Sequence, residues 1–174
     1  MRISYAFDRI KSLREEVASL GRKPSDYKYD LNTQNAYRIE HTKLGSYVYI
    51  LINDGKQGKE ARVDLSDFYI YRLYSYRWIR SSSDSKKDYP HTNTYDSKGK
   101  KINLLLHVLI MGVVEGKVID HDDGNHYNAS RSNLNHVTTA QNNQNRHPRP
   151  ATNKTTSRVK PVTVNAQYIP LFSY

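Results

Sequence analysis

Residues 118–146 read VIDHDDGNHYNASRSNLNHVTTAQNNQNR, an aspartate beside a histidine followed by seven asparagines between positions 122 and 146. Val118 and Ile119 are β-favouring residues that run into Asp120-His121, and DDGN at 122–125 has turn chemistry. Val137-Thr138 then predicts a returning strand, and TAQNNQNR at 139–146 predicts the opening of a helix. The order is strand, loop, strand, helix. Side chains alternate across a strand, so Asp120 and His121 point to opposite faces and only one of them can ligate a given ion. Asp120 offers a hard oxygen suited to Mg²⁺ or Mn²⁺, and His121, an imidazole titrating near neutrality, can take a proton from water. Asn142, on the facing helix, can add an amide oxygen. Together these are the parts for hydrolysing a phosphodiester, in which an ion stabilises phosphate and leaving-oxygen charge while a base generates the nucleophile. Taken singly, each residue also has an ordinary structural use, because Asp and Asn cap turns and helices and exposed histidines are common.

Composition narrows the partners. The chain has 174 residues, 37% of them hydrophobic, 15 tyrosines and 25% charged residues, which suits one domain, or a small domain with appendages, and a modest core. Lys+Arg 27 against Asp+Glu 17 gives a net charge of +10 and a pI near 9.6. That field attracts polyanions, nucleic acid first and an anionic membrane second. No apolar run approaches a membrane span and the N-terminus does not read as a secretory signal, so no membrane partner and a cytoplasmic location are expected. The absence of cysteine removes disulfides, thiolate zinc sites and cysteine nucleophiles, and any metal must be held by oxygen and imidazole. The charge is one-sided as well. No carboxylate follows Asp123, while Arg131, Arg146, Arg149, Lys154, Arg158 and Lys160 do. With Pro148, Pro150 and many Thr, Ser and Asn, residues 147–174 read as an extended basic arm able to track phosphates.

Upstream, Phe7, Ile10, Leu13, Val17 and Leu20 recur at helical spacing, Gly21 suits the C′ position and Pro24 follows, predicting one amphipathic helix whose stripe packs on the domain. YVYILI at 47–52, the turn sequence NDGKQGK and Arg62-Val63 predict a hairpin. The segment DLSDFYIYRLYSYRWIR predicts a short helix, with Ser66 as a possible N-cap, running into a strand at Trp78. Its tyrosines either cover a small core ring-inward or stack on bases and sugars, and Arg72, Arg77 and Arg80 suit phosphate contacts in both cases. Residues 81–106 predict a β-hairpin with polar turns at 81–87 and 96–100. INLLLHVLIM, 102–111, is the most apolar run and is expected in the core.

The ordered blocks LHVLIMG (106–112), GKVIDHDDGN (116–125), NASRSNL (128–134), VT (137–138) and QNNQNR (141–146) resemble the HNH endonuclease family, in particular its phage and intron-associated homing branch. The flank VDLSDFYIYRLYSYRW with its hairpin extends the likeness back to Val63. The resemblance implies an α+β fold with a ββα-metal nuclease core, here preceded by β-hairpin elements and an N-terminal helix and followed by the basic arm. It implies one divalent ion held by Asp120 and Asn142, with His121 as the general base. Asn133 would brace the loop, His107 would support the site from its helix, and Asn145 and His126 would add contacts to phosphate or metal. The chain divides accordingly into residues 1–62, an N-terminal helix and hairpin region able to bind DNA; 63–146, the nuclease domain with its flank; and 147–174, the arm. Two departures stand out. Val108 occupies a position where relatives often carry a basic residue, and TNKTTSRVKPV resembles only the opening of the DNA-binding module that many relatives carry. The expected function is nicking or cutting of double-stranded DNA in a cytoplasm, that of the host if the chain is phage-encoded: a nick from a monomer, both strands from a dimer. A DNA-binding protein with a silent HNH site, or an RNA-binding or RNA-cleaving protein, are the alternatives.

Overall fold

The computed structural model describes residues 2–30, 32–54, 56–80 and 88–145. Helix α1 spans Arg2–Ser19. It closes as the sequence suggests: Gly21 takes φ +69°, Arg22 N–H reaches back to Val17 O at 3.2 Å and Gly21 N–H to Ala18 O at 3.0 Å. This paired return satisfies carbonyls that the helix end would leave bare. Leu13, Val17 and Leu20 are buried, whereas Phe7, expected in the same stripe, is 66% exposed. Val17 and, just past the helix, Leu20 meet Tyr27, Ala36 and Leu51, and Arg9 donates to Gln34 O at 2.7 Å.

Strands β1 (Tyr37–Thr42), β2 (Gly45–Ile52) and β3 (Lys59–Asp64) form an antiparallel meander in the order β1-β2-β3. The hairpin of β2 and β3 is the one its turn sequence predicts; β1 was hidden because Arg38, Glu40 and His41 dilute its apolar positions. Gly58, with φ +74°, lies where a Cβ would stand 2.9 Å from the Leu51 side chain and 3.0 Å from that of Leu20. Only glycine lets α1 and β2 close there without displacing a neighbour.

Helix α2 (Leu65–Ile70) follows at once. Its N-cap is Asp64 rather than Ser66, and the Asp64 side chain makes no capping bond. Its carboxylate accepts the Arg131 backbone N–H at 2.7 Å instead, a tertiary use that sequence spacing does not reveal. Trp78 is not in a strand either. It is buried, donates from Nε1 to Leu73 O at 2.8 Å, and exchanges backbone hydrogen bonds with the Asn35 amide: Trp78 N–H to Oδ1 at 2.8 Å and Nδ2 to Trp78 O at 3.0 Å. The same Nδ2 also donates to Leu51 O at 2.9 Å, so one amide ties the meander to the second half of the chain.

That half holds a second antiparallel sheet, β4 (Ile79–Arg80), β5 (Pro90–Tyr95) and β6 (Lys101–Leu105), and then α3 (Leu106–Met111). The apolar run 102–111 is therefore split, half-exposed strand first and buried helix second, with Leu106 and Ile110 in the core. A two-stranded sheet, β7 (Lys117–His121) with β8 (Leu134–Thr138), and α4 (Thr139–Gln144) complete the described residues. Beside the smaller cluster under α1, one core links the meander to the second half: Tyr37, Val48, Ile50 and Val63 join Phe68, Leu73 and Trp78, then Leu106 and Ile110, then Tyr127, Ala129 and Leu134. The chain is thus α+β with small antiparallel sheets. Strand β3 crosses the 62/63 boundary expected from the sequence. Arg62 also bridges to the later loop, its N–H donating to Tyr127 O and its carbonyl accepting from Ala129 N–H, both at 2.8 Å.

Candidate active site

Strands β7 and β8 pair in the register Lys117↔Thr138 to His121↔Leu134, and α4 packs on both. The helix starts where β8 ends because Thr138 supplies a capping box: its hydroxyl accepts Gln141 N–H at 3.3 Å, and Gln141 Oε1 accepts Thr138 N–H at 2.9 Å. Two orphan donors are satisfied by a T-x-x-Q spacing visible in the sequence.

Alternation along β7 separates the two chemical residues. Asp120 is half-buried on the side of α4 and accepts a hydrogen bond from Asn145 Nδ2 at 2.9 Å. His121, only 6% exposed, turns to the other side. There it enters a group of rings from four places in the chain. Its centroid is 5.0 Å from His107 of α3, edge-on at 81°, 5.5 Å from His126 and 5.9 Å from Tyr89. Tyr89 lies 5.1 Å from His107 and stacks on His126 at 4.0 Å. His121 Nε2 and His107 Nδ1 are buried without a hydrogen-bond partner. Burial pushes the His121 pKa down to about 4, aided by His126 and opposed by Asp123 and Asp120. Burial and the neighbouring histidines take His107 down to about 3. Both rings are neutral at pH 7, so His121 is in the form that accepts a proton.

The asparagines after Asp120-His121 build the loop. Buried Asn133 donates from Nδ2 to Asp123 Oδ1 at 2.9 Å and to Asn128 O at 2.8 Å, and its Oδ1 accepts Asp123 N–H at 3.0 Å. Asn128 Nδ2 donates to the other Asp123 oxygen at 2.7 Å, and Asn135 Nδ2 holds Asp122 at 2.8 and 2.9 Å. Asp123 also accepts Asn125 N–H at 2.8 Å, and Gly124 turns the chain with φ +68°. Burial works to raise the Asp123 carboxyl, but the bonds from Asn128, Asn125 and Asn133 hold it below the usual carboxylate range. Asn133 thus joins Asp123 to Asn128 across the loop.

The other residues singled out in the sequence divide. Asn142 lies half-buried on α4, but the amide that reaches Asp120 belongs to Asn145. Arg77 is held by Glu16, at 3.0 and 3.1 Å, and by Gln34 O at 2.6 Å. Arg80 sits 3.5 Å from Asp88. Arg131 pairs with Asp67, which is 2% exposed, at 3.0 Å and also reaches Tyr71 Oη and Ile110 O. Each of these three arginines has a carboxylate of the protein as a neighbour, and the Arg77 and Arg131 side chains are still 39% and 48% exposed. Arg72 is exposed, in the left-handed region at φ 50°. Arg146, Arg149, Lys154, Arg158 and Lys160 lie outside the described residues. Tyr89 was missed: nothing in its sequence surroundings marks it, and it joins the ring group because β5 begins beside α3. His136, whose ring is 3.2 Å from Gly112 O, ties β8 to the end of α3 and was missed too.

No protein-family model, curated protein or solved structure matches the chain. The reading of the site therefore rests on its own chemistry. Among the described residues no three His, Cys, Asp or Glu side chains stand close enough to hold a metal as a closed protein cage. Asp120 is met at the end of α4 by the amide nitrogen of Asn145. Among the described residues no helix is long and apolar enough to cross a membrane.

Proposed function

We propose that the chain is a metal-dependent endonuclease of the HNH type, with a ββα-metal core formed by β7, β8 and α4, that hydrolyses phosphodiester bonds in double-stranded DNA. The observation that carries this reading is the division of Asp120 and His121 by the pleat of β7: a carboxylate toward α4 and Asn145, and a neutral imidazole with an unpartnered nitrogen on the other face. Such a nitrogen calls for a water or substrate oxygen. His121 is the general base. It takes a proton from water, and the ring packing of Tyr89, His107 and His126 limits how far it can turn. Asp120, with an amide oxygen of Asn142 or Asn145, would hold one Mg²⁺ or Mn²⁺, which supplies charge stabilisation at the phosphate and leaving oxygen when bound. The Asn145 hydrogen bond keeps Asp120 oriented toward α4. Asn133 holds the loop that joins the strands, so β7 and β8 keep the register on which both roles depend. The net charge of +10 supports a polyanionic substrate.

The test is incubation of supercoiled plasmid with the full chain in Mg²⁺ or Mn²⁺ and in EDTA, for wild type, Asp120→Ala and His121→Ala. Metal-dependent open-circle product indicates nicking and linear product double-strand cutting, with both variants inactive and still bound to DNA. Tight DNA binding with no product in any metal would replace this reading by a binding protein that keeps the fold. Preferential binding or cleavage of single-stranded RNA would move it to RNA.

A further inference from the structure

We infer that the β5–β6 hairpin is the ribbon that enters the major groove of duplex DNA. The inference rests on the reading of duplex DNA as the partner and not on the reading of the chemistry. The register pairs Asn93 with Asn103 and Tyr95 with Lys101, and cross-strand partners share a face. All four are exposed, Tyr95 at 69%. The alternate rungs, Thr92↔Leu104 and Thr94↔Ile102, are the more buried ones and face the protein. The ribbon thus has an apolar-backed inner side and an outer side made of two amides, a phenol ring and an ammonium group.

Its tip adds charge to a fixed shape. Asp96 Oδ1 accepts Lys98 N–H at 2.9 Å and Lys100 N–H at 2.8 Å, Asp96 N–H donates to Lys100 O at 2.9 Å, and Gly99 takes φ +74°. The turn is held by its own backbone, while Lys98, Lys100 and Lys101 are exposed. Among the described residues these lysines, Asn93, Asn103 and Tyr95 make no side-chain hydrogen bond or ion pair. The contrast is with Arg38, Lys59, Arg77, Arg80 and Arg131, each spent on a carboxylate of the protein itself. Three free ammonium groups thus stand within four positions at the ribbon's tip.

Size and connectivity agree. Four residue steps separate the His91↔Leu105 rung from Tyr95↔Lys101, about 13 Å at roughly 3.3 Å each. That length corresponds to about four base pairs at roughly 3.4 Å each. The major groove of B-form DNA admits a two-stranded ribbon, and asparagine pairs with the adenine edge there. The A-form RNA major groove is too deep and narrow for such side chains. Strand β6 runs straight into α3, whose His107 touches His121, so a seated ribbon is joined by a single chain turn to the candidate site.

The test uses the full chain, a labelled random-sequence duplex in EDTA, and anisotropy across a KCl series. The triple variant Lys98→Ala, Lys100→Ala, Lys101→Ala should reduce the log–log salt slope by about 2.7, some 0.9 per phosphate contact. A control triple of exposed lysines elsewhere, Lys11→Ala, Lys23→Ala, Lys43→Ala, should change it by less than one. Asn93→Ala with Asn103→Ala should keep the slope and relax the sequences recovered from a randomised duplex pool. An unchanged slope in the ribbon triple, an equal change in the control, no salt-dependent duplex binding by wild type, or tighter binding of single-stranded RNA with the same lysine dependence would each overturn the assignment. Manganese-dependent hydrolysis of bis(p-nitrophenyl) phosphate by wild type is measured in parallel. Its absence in wild type would strike the nuclease reading and leave the ribbon result standing.

Discussion

Replacing Asn133 by alanine should loosen the loop that separates Asp120-His121 from β8. Three hydrogen bonds disappear: one to the ionised Asp123 carboxylate, one to Asn128 O and one from Asp123 N–H. A charged partner contributes about 1.5–3 kcal/mol and a neutral one about 1 kcal/mol, for a gross loss of about 4 kcal/mol. Asp123 is exposed and Asn128 half-exposed, so water replaces part of what is removed. The net destabilisation is then about 2–3 kcal/mol, since the buried Asn133 site is the only part that stays dry. Urea denaturation followed by tyrosine and tryptophan fluorescence measures it through the midpoint at unchanged m-value. In a chain of this length the melting temperature should fall by roughly 5–10 °C. Asn133→Asp keeps an acceptor but sets a second carboxylate against Asp123, and should cost at least as much at pH 7 and less near pH 4. A loss under about 0.5 kcal/mol for Asn133→Ala would refute the bracing role and with it the account of the asparagine-rich loop.

Other outcomes follow from the same geometry. His121→Ala should lower the cleavage rate by roughly two to four powers of ten in a plasmid assay, and a loss below tenfold would remove it as the base. His107 and His121 have pKa values depressed to about 3 and about 4 from 6.5, so the unfolded chain binds two more protons than the folded one between those values. Stability should therefore be complete above pH 6.5 and fall as pH drops toward 4, by about 2.7 kcal/mol per pH unit; urea midpoints at pH 7 and pH 5 that coincide would contradict the burial of these rings. Asp67→Ala removes the buried carboxylate that Arg131 bonds and, because the Arg131 side chain is 48% exposed and stays solvated, should destabilise by about 1–2 kcal/mol, read by the same denaturation. Deleting residues 147–174 removes Arg149, Lys154, Arg158 and Lys160 and should reduce the salt slope of DNA binding by up to about 3.6; an unaltered slope would mean that the arm does not touch phosphate.

Local signals in this chain carry local structure. Gly21 after a helical stripe, the turn residues at 96–100, and the T-x-x-Q spacing at Thr138 each state a conformation that neighbours a few residues apart decide, and the backbone follows them. The adjacency of Asp120 and His121 is of the same kind: once 117–121 is a strand, the pleat sends them to opposite faces without help from the rest of the protein. Tertiary structure decided what those faces meet. Whether a lysine or arginine is free for a partner depends on carboxylates as much as 64 positions away, as with Arg131 and Asp67, and no spacing rule reports such a pair. Asp64 is an N-cap by position and a clamp on Arg131 by contact. Tyr89, His107 and His126 surround His121 only because a sheet edge, a helix and a loop converge on one core, which depends on packing and not on chain order.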